Sequence, residues 1–180
     1  MARKPIIAVI GGGSTASPEG LALAEEVGFL IARADAVLIC GGLNGVMEAA
    51  AKGARRGGGL TLGVLPTGNK ADANEYIDIP IATAMNTARN LIIVRTADAL
   101  IAVNGSYGTL SEMAHAFDLG KTVFALRTWG MDKVGVEASL FVPVATPREA
   151  VDRALEYARK AIAAAIPGEP FRAQLRVARP

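Results

Sequence analysis

The chain has 180 residues and a net charge of +2, so it is long enough for one domain with a buried core and has no strong charge bias. Apolar residues make up 51% of the chain and aromatic residues only 5%, which indicates a core of Ala, Val, Ile and Leu, as in buried parallel strands covered by helices. The single cysteine, Cys40, excludes an internal disulfide and a cysteine-based zinc site, and we expect no metal site.

The distribution of charge and hydropathy indicates which classes of partner and which cellular compartment to expect. The basic residues are scattered, without the basic stripe or aromatic platform of a nucleic-acid-binding protein, so no nucleic-acid partner is expected. No apolar run approaches the roughly 18 residues that span a bilayer, and the run after the basic N-terminus is too short for a signal peptide. We therefore expect a cytoplasmic protein with no membrane partner.

Short apolar runs alternate with longer amphipathic stretches in the first half of the chain. In chain order, this pattern predicts a strand at 5–10, a helix from 18 to about 32, a strand at 36–40, a helix from 45 to about 56, a strand at 60–65, a polar loop at 69–74 and a short strand at 76–79. Ser17 is the expected N-cap of the first helix, with Pro18 at its first position.

The alternation continues in the second half of the chain. It predicts a helix from 83 to about 95, a strand at 99–103, a helix at 110–119, strands at 122–126 and 141–144, and a helix from the capping box at 146–149 to about 165. Residues 1–166 then form a single nucleotide-binding-type domain, followed by a C-terminal tail at 167–180. The order of elements predicts a Rossmann-like, doubly wound α/β fold with a mostly parallel sheet and helices on both faces.

Glycine-rich turns follow the first, second and fifth predicted strands. In doubly wound sheets, ligands bind beyond the carboxyl ends of the strands, near the switch in strand order. A glycine turn between a strand and a helix lets the backbone approach a ligand and aims free N–H groups at an anion. We therefore predict a site for a phosphate-bearing ligand. Its expected residues are Gly12, Gly13 and Ser14 in the first turn, Gly41 and Gly42 in the second, and Gly105, Ser106, Tyr107, Gly108 and Thr109 in the third.

The first glycine turn also raises the question of a dinucleotide site. Gly11, Gly13 and Ala16 fit the G-x-G-x-x-A fingerprint, which expects an acidic residue at the end of the second strand to hold a ribose. Cys40 occupies that position instead, which argues against an NAD-dependent oxidoreductase. The chain has no G-K-[ST] sequence, which argues against a standard P-loop ATPase.

Three segments in the second half of the chain resemble a known family. They are MNTARN at 85–90, ADALIAV at 97–103 and NGSYGTLSE at 104–112. Together with the glycine turn at 41–45, they resemble the LOG family, long labelled "possible lysine decarboxylases", whose signature is an arginine before the strand and P-G-G-x-G-T-x-x-E after it. The likeness runs from the first strand to about residue 126. Because Arg89 is followed by Asn90, the chain is most similar to the molybdenum-cofactor-carrier-like subgroup.

The resemblance implies ligands, activities and an assembly. Characterised LOG proteins are phosphoribohydrolases that cut the N-glycosidic bond of cytokinin riboside 5′-monophosphates, and often of AMP, to release the base and ribose 5-phosphate. Carrier proteins of the same fold bind their ligand without that chemistry. The resemblance makes Arg89 and Glu112 the candidate catalytic residues and Asn90 a further ligand-binding residue. It implies no required cofactor, a bound nucleotide or molybdopterin-type ligand, and a homodimer or larger homo-oligomer.

The chain departs from the family signature at three positions. Asn104 replaces the proline, Ser106 replaces the second glycine, and Asn90 replaces the lysine that usually follows the arginine. We therefore place first a binding or carrier protein for a phosphate-bearing nucleotide or pterin-type cofactor.

The retained arginine and glutamate keep a second function open, a nucleoside 5′-monophosphate phosphoribohydrolase. In that function Glu112 stabilises positive charge at the ribose or activates water, and Arg89 binds the phosphate or ribosyl region. Lysine decarboxylase is excluded because that reaction usually needs pyridoxal phosphate on a lysine, and neither Lys52 nor Lys121 lies in a predicted pocket turn.

Four further residues are given structural roles. His115, the only histidine, follows Glu112 at the i, i+3 spacing of a metal pair, but no third ligand suggests itself and we predict a helix-face residue. Cys40 is predicted to be a buried small hydrophobe, with a place in the pocket lining as the alternative. Trp129 and Met131, in the segment 127–133, are predicted to pack locally, with an interface or a pocket rim as the alternative.

Overall fold

The computed structural model describes residues 3–131 and 137–164. Its strands are β1 (Ile6–Gly11), β2 (Val37–Cys40), β3 (Thr61–Leu65), β4 (Ile79–Ala82), β5 (Ala99–Val103), β6 (Val123–Leu126) and β7 (Phe141–Pro143). Its α-helices are α1 (Pro18–Arg33), α2 (Val46–Arg56), α3 (Asn90–Thr96), α4 (Tyr107–Asp118) and α5 (Pro147–Ala164), and short 3₁₀ helices cover Lys70–Asp72 and Asn86–Arg89. The predicted tail at 167–180, the predicted end of the last helix and residues 132–133 of the predicted segment 127–133 lie outside the described residues.

The seven strands form one parallel sheet in the order β4-β3-β2-β1-β5-β6-β7. The chain builds outward from β1 to β4 and then returns to the other side of β1 with β5, so the strand order switches between β1 and β5. This topology confirms the predicted doubly wound, Rossmann-like fold. Because β2, β1 and β5 are neighbours, the three glycine-rich turns that follow them lie along one edge of the sheet.

Helices cover both faces of the sheet and divide the core into two clusters. α1, α2 and α5 pack on one face, and α3 and α4 pack on the other. Residues along β1 alternate between the clusters, with Ile7 and Val9 in the first and Ala8 and Ile10 in the second. Every residue of β5 is buried, which explains why its sequence is an unbroken apolar run. None of the described helices combines the length and apolarity needed to cross a membrane.

The first two helices pack backbone to backbone. A Cβ at Gly28 of α1 would overlap the carbonyl oxygen of Ala50, and a Cβ at Gly53 of α2 would overlap the carbonyl oxygen of Glu25. This close contact fixes α2 beside the first glycine turn, where the Val46 amide donates a hydrogen bond of 2.9 Å to a glycine carbonyl oxygen of that turn. The packing of α1 against α2 therefore places the start of α2 beside the first glycine turn, at the edge of the sheet.

Two predicted elements are wrong in their placement. The strand predicted at 76–79 lies at Ile79–Ala82 because Asp78 is held at the start of β3, where its carboxylate accepts hydrogen bonds of 2.9 and 3.0 Å from the amide and hydroxyl of Thr61. The helix predicted over 83–95 is an α-helix only at Asn90–Thr96. A left-handed residue, Asn86 with φ of 48°, begins the 3₁₀ turn that precedes it.

Smaller differences concern a loop and a helix start. The predicted polar loop at 69–74 contains the 3₁₀ turn Lys70–Asp72, capped by the Asn69 side chain. The helix predicted at 110–119 begins earlier, at Tyr107, because Ser106 serves as its N-cap. The predicted N-cap of α1 is confirmed, since Ser17 Oγ accepts a hydrogen bond of 3.1 Å from the Gly20 amide.

Replacing Gly53 with Ala is expected to lower the free energy of unfolding by roughly 1–3 kcal/mol, because the added methyl group forces α1 and α2 apart. This effect opposes the intrinsic helix preference for Ala over Gly, about 1 kcal/mol. Chemical denaturation measures the change. Gly108→Ala is the matched control, since a Cβ at this helical glycine has 3.9 Å to its nearest neighbour. Equal stabilities of the two variants would contradict the close packing.

Candidate functional site

A cavity of about 110 Å³ opens at the carboxyl edge of the sheet, where the strand order switches between β1 and β5. Eight predicted site residues line this cavity: Gly13, Gly41, Arg89, Asn90, Ser106, Gly108, Thr109 and Glu112. The structure therefore brings together side chains and backbone from all three glycine turns and from the segment before β5.

Five predicted site residues lie outside the cavity lining: Gly12, Ser14, Gly42, Gly105 and Tyr107. The Gly12 carbonyl oxygen accepts the hydrogen bond from Val46 at the start of α2, and the Gly42 carbonyl oxygen accepts two from Asn74, at 2.9 and 3.1 Å. These two glycines thus stabilise the turns through backbone hydrogen bonds and do not line the cavity. Ser14 and Tyr107 are exposed to solvent.

Arg89 is the most unusual side chain in the cavity because it is a buried cation with few partners. Its side chain is 10% exposed, and Nη1 donates hydrogen bonds to Asn90 Oδ1 at 2.9 Å and to Glu112 Oε1 at 3.4 Å. Nη2 rests against Gly41, where a Cβ would collide with the guanidinium. Nε is buried and has no hydrogen-bond partner among the described residues.

Burial shifts the pKa values of both groups of this ion pair toward their neutral forms. Burial raises the pKa of Glu112 to about 7, although the nearby Arg89 guanidinium acts in the opposite direction. Burial also lowers the pKa of Arg89, and the Glu112 carboxylate counteracts that effect. A carboxyl group with a pKa near neutrality both gives up and accepts a proton at physiological pH, which is a requirement for general acid–base catalysis.

The third glycine turn has a backbone conformation that a proline cannot adopt. Asn104 has φ of 54°, whereas the proline ring fixes φ near −65°. The Asn104 side chain stabilises this turn, since Oδ1 accepts a hydrogen bond of 2.6 Å from the Gly105 amide and Nδ2 donates one of 3.1 Å to Ser17 Oγ. The departure from the family signature at Asn104 therefore changes the turn and ties it to the start of α1.

The N-terminus of α4 follows this turn and faces the cavity through Ser106, Gly108 and Thr109. The Ser106 amide donates a hydrogen bond of 3.2 Å to Thr109 Oγ1, which stabilises the first turn of the helix. The first N–H groups of a helix have no acceptor within the helix, and they lie at the positive end of its dipole. This end of α4 and the Arg89 guanidinium therefore both favour an anion, whereas the Glu112 carboxylate opposes one when it is ionised.

Two residues that were predicted to be structural, Cys40 and His115, do not line the cavity. Cys40 is fully buried, and burial raises the pKa of its thiol to about 12, so the thiol stays protonated. His115 is half-buried on α4. Across residues 3–131 and 137–164, no group of three or more His, Cys, Asp or Glu side chains is placed to hold a metal ion.

Lys121 caps the C-terminal end of α3. Its Nζ donates hydrogen bonds of 2.7, 3.1 and 2.6 Å to the carbonyl oxygens of Val94, Arg95 and Ala97. These contacts close the C-terminal end of α3, the helix that begins beside Arg89.

Four cavity-lining residues were missing from the sequence-based prediction: Val9, Ile10, Gly11 and Met47. Gly11 belongs to the first glycine turn, so the sequence pattern could have identified it as a site residue. Val9 and Ile10 read as ordinary core residues of a strand, and Met47 reads as an ordinary apolar helix residue. No sequence pattern separates such residues from the core, because their exposure to the cavity depends on how the strands and α2 meet.

Comparison with known proteins places the chain in a family. Residues 4–152 match the SLOG cluster4 family. The chain belongs to this family. The resemblance to LOG-like proteins that the sequence motifs indicated is therefore confirmed.

Two solved structures show the same fold as this SLOG cluster4 protein. A molybdenum cofactor binding protein from the phototrophic bacterium Rippkaea orientalis is 37% identical, with a TM-score of 0.79 over 85% of this chain and 96% of the other. The molybdenum cofactor carrier protein from Chlamydomonas reinhardtii is 33% identical, with a TM-score of 0.80 over 86% of this chain and 98% of the other.

A relative with an enzymatic name is also similar to this SLOG cluster4 protein. It is the cytokinin riboside 5′-monophosphate phosphoribohydrolase of Mycobacterium tuberculosis, 34% identical over 133 residues, which cover 69% of this chain and 71% of the relative. The comparisons thus include both carrier-type and hydrolase-type proteins.

The raised pKa of Glu112 predicts a pH-dependent stability. The folded protein holds the Glu112 proton up to about pH 7, whereas the unfolded chain releases it near the ordinary value of 4.5. Glu112 therefore reduces stability as the pH rises from about 4.5 to 7, and Glu112→Gln is expected to remove this loss. Denaturation of both proteins at several pH values between 5 and 8 measures the difference. A constant difference across that range would contradict the prediction.

Proposed function

We propose that the protein binds and carries a phosphate-bearing nucleotide or pterin-type cofactor, with the phosphate end of the ligand in the cavity. The observation that carries this proposal is the unpartnered Nε of Arg89, a buried donor among the described residues. A buried donor without an acceptor costs about 1–3 kcal/mol, and more when it is charged. A phosphate oxygen would satisfy it.

The charges around the cavity support an anionic ligand. The guanidinium of Arg89 and the positive end of the α4 dipole both favour negative charge. Glu112 opposes it when ionised, but burial raises the pKa of this carboxyl to about 7. A bound phosphate would raise that pKa further, so Glu112 would take up a proton and the repulsion would fall.

The size of the cavity limits which part of the ligand it encloses. Pockets that bury a drug-sized ligand have volumes of roughly 300–1,000 Å³, whereas this cavity has about 110 Å³. It accommodates a phosphate with adjoining atoms, and the rest of a nucleotide or pterin would extend past the rim. Partial enclosure suits a carrier, which must release its ligand as well as bind it.

The relatives give the proposal its chemical class. The two solved structures reported above bind or carry the molybdenum cofactor, and each shares over 30% identity with nearly its whole length covered. Arg89, Asn90 and the third glycine turn are the groups of this chain that would hold the phosphate of such a ligand.

Arg89→Met is expected to weaken binding of AMP about 10-fold to 150-fold, because a hydrogen bond to a charged group contributes about 1.5–3 kcal/mol. Arg89→Lys is not expected to restore binding, since an ammonium lacks the Nε donor and the planar fork of a guanidinium. Isothermal titration calorimetry measures the affinities.

The control for these variants is Arg153→Met, which removes an exposed arginine on α5 that pairs with Glu149. It is expected to bind AMP as the unsubstituted protein does. Equal AMP affinity in the Arg89 and Arg153 variants would remove Arg89 from the binding site. No measurable binding of AMP or of a pterin phosphate by the unsubstituted protein would contradict the proposal itself.

A second candidate function, a nucleoside 5′-monophosphate phosphoribohydrolase, is favoured by Glu112. Its carboxyl group lies in the cavity 3.4 Å from Arg89, and its pKa is raised to about 7. Such a group suits the water activation that hydrolysis of a ribosyl bond requires. The similarity to the mycobacterial phosphoribohydrolase points to the same reaction.

If the second function applies, the purified protein releases adenine from AMP, and Glu112→Gln reduces the rate at least about 100-fold, as loss of a general acid–base group does. Chromatography of the free base measures the rate across a panel of nucleoside monophosphates. Glu156→Gln, at an exposed glutamate of α5, is the matched control. Binding of AMP without release of adenine would contradict the hydrolase function and leave only the carrier function.

A further inference from the structure

Two aromatic side chains lie stacked and exposed beside the cavity. Tyr107 is 85% exposed and Trp129 is 41% exposed, and their ring centroids are 6.4 Å apart with planes inclined by 26°. Tyr107 lies between Ser106 and Gly108, which both line the cavity, and the Trp129 indole packs against Gly105 of the same turn. We call this pair of residues the aromatic ledge.

We propose that the aromatic ledge stacks on the planar heterocycle of the ligand whose phosphate occupies the cavity. This inference rests on the proposed function and deepens it by assigning a site to the other end of the ligand. The occupant is a flat nitrogen heterocycle, a purine or a pterin, linked to a phosphate.

The size of the cavity requires a second contact surface for such a ligand. With about 110 Å³ the cavity holds the phosphate end, so the heterocycle lies outside it. Tyr107 begins the helix whose N-terminus faces the proposed phosphate position, and its backbone lies between two residues that line the cavity, Ser106 and Gly108. The ledge is therefore an aromatic surface close to where the heterocycle emerges.

The exposure of the ledge is the feature that local packing does not explain. Aromatic side chains bury 150–250 Å² each when they contribute to a core, yet the Tyr107 ring leaves most of its area in water. Its main described partner is the Trp129 ring, which is also partly exposed. An exposed aromatic face beside a phosphate site is the arrangement that sequence-tolerant base stacking uses.

Trp129 makes the ledge directly observable because it is the only tryptophan in the chain. Its fluorescence therefore reports the ledge alone. Titration of the protein with AMP is expected to change the tryptophan emission, whereas titration with ribose 5-phosphate, which lacks the heterocycle, is expected to leave it unchanged. Calorimetry under the same conditions measures the affinity of both compounds, and of neopterin monophosphate as the pterin probe.

Tyr107→Ala is expected to lower the affinity for AMP about 5-fold to 150-fold, the range for loss of one base–aromatic stack. The affinity for ribose 5-phosphate is expected to stay within twofold, and Tyr107→Phe is expected to retain most of the AMP affinity. Leu60→Ala is the matched control, since it removes an exposed apolar side chain before β3, at the opposite edge of the sheet.

The outcomes separate this inference from the proposed function. Equal affinities of AMP and ribose 5-phosphate, unchanged in Tyr107→Ala, would overturn the ledge and leave the phosphate site standing. Absence of binding by every probe would overturn the proposed function and the ledge with it. Emission that depends on protein concentration and not on AMP would assign the ledge to contact between copies of the chain. A larger loss for AMP than for neopterin monophosphate in Tyr107→Ala would identify the purine as the occupant, and the reverse would identify the pterin.

Discussion

The buried ion pair of Arg89 and Glu112 is the contact around which the candidate site is arranged. Its closest atoms, Nη1 and Oε1, are 3.4 Å apart, and both side chains are about nine-tenths buried. Transferring two charges from water costs several kcal/mol per ion, and only close, fully hydrogen-bonded geometry offsets that cost. A long contact with a free Nε does not meet this condition. The pair is therefore a costly arrangement among the described residues, and binding of a phosphate, as proposed above, would offset part of that cost.

The fold supplies this pair through the order of its strands. Gly41, Arg89 and Glu112 are far apart in sequence, and they meet because β2, β1 and β5 are neighbours at the centre of the sheet. The guanidinium fits there because Gly41 has no side chain. The same topology places the N-terminus of α4 beside the pair. One architectural fact, the switch in strand order, thus gathers the arginine, the carboxyl group and the helix end.

Sequence reasoning located the parts of the site that depend on local signals. Strands such as β5 are unbroken apolar runs, and the glycine turns follow them directly, so both were predictable. The structure of the 83–95 segment was not predictable, because the left-handed Asn86 divides it. The position of the strand at 79–82 was not predictable either, because it depends on a hydrogen bond between Asp78 and Thr61, which are distant in sequence. Met47 and the exposure of Tyr107 likewise depend on how separate elements meet, which no local pattern records.

The geometry also bears on the choice between carrying and hydrolysis. Both functions need the same phosphate contacts, but hydrolysis needs in addition a water molecule at the glycosidic carbon, within reach of Glu112. If a phosphate occupies the cavity of about 110 Å³, the space that remains beside Glu112 decides whether such a water molecule fits. The volume left beside Glu112 when the ligand is bound is therefore the physical quantity that separates the two functions.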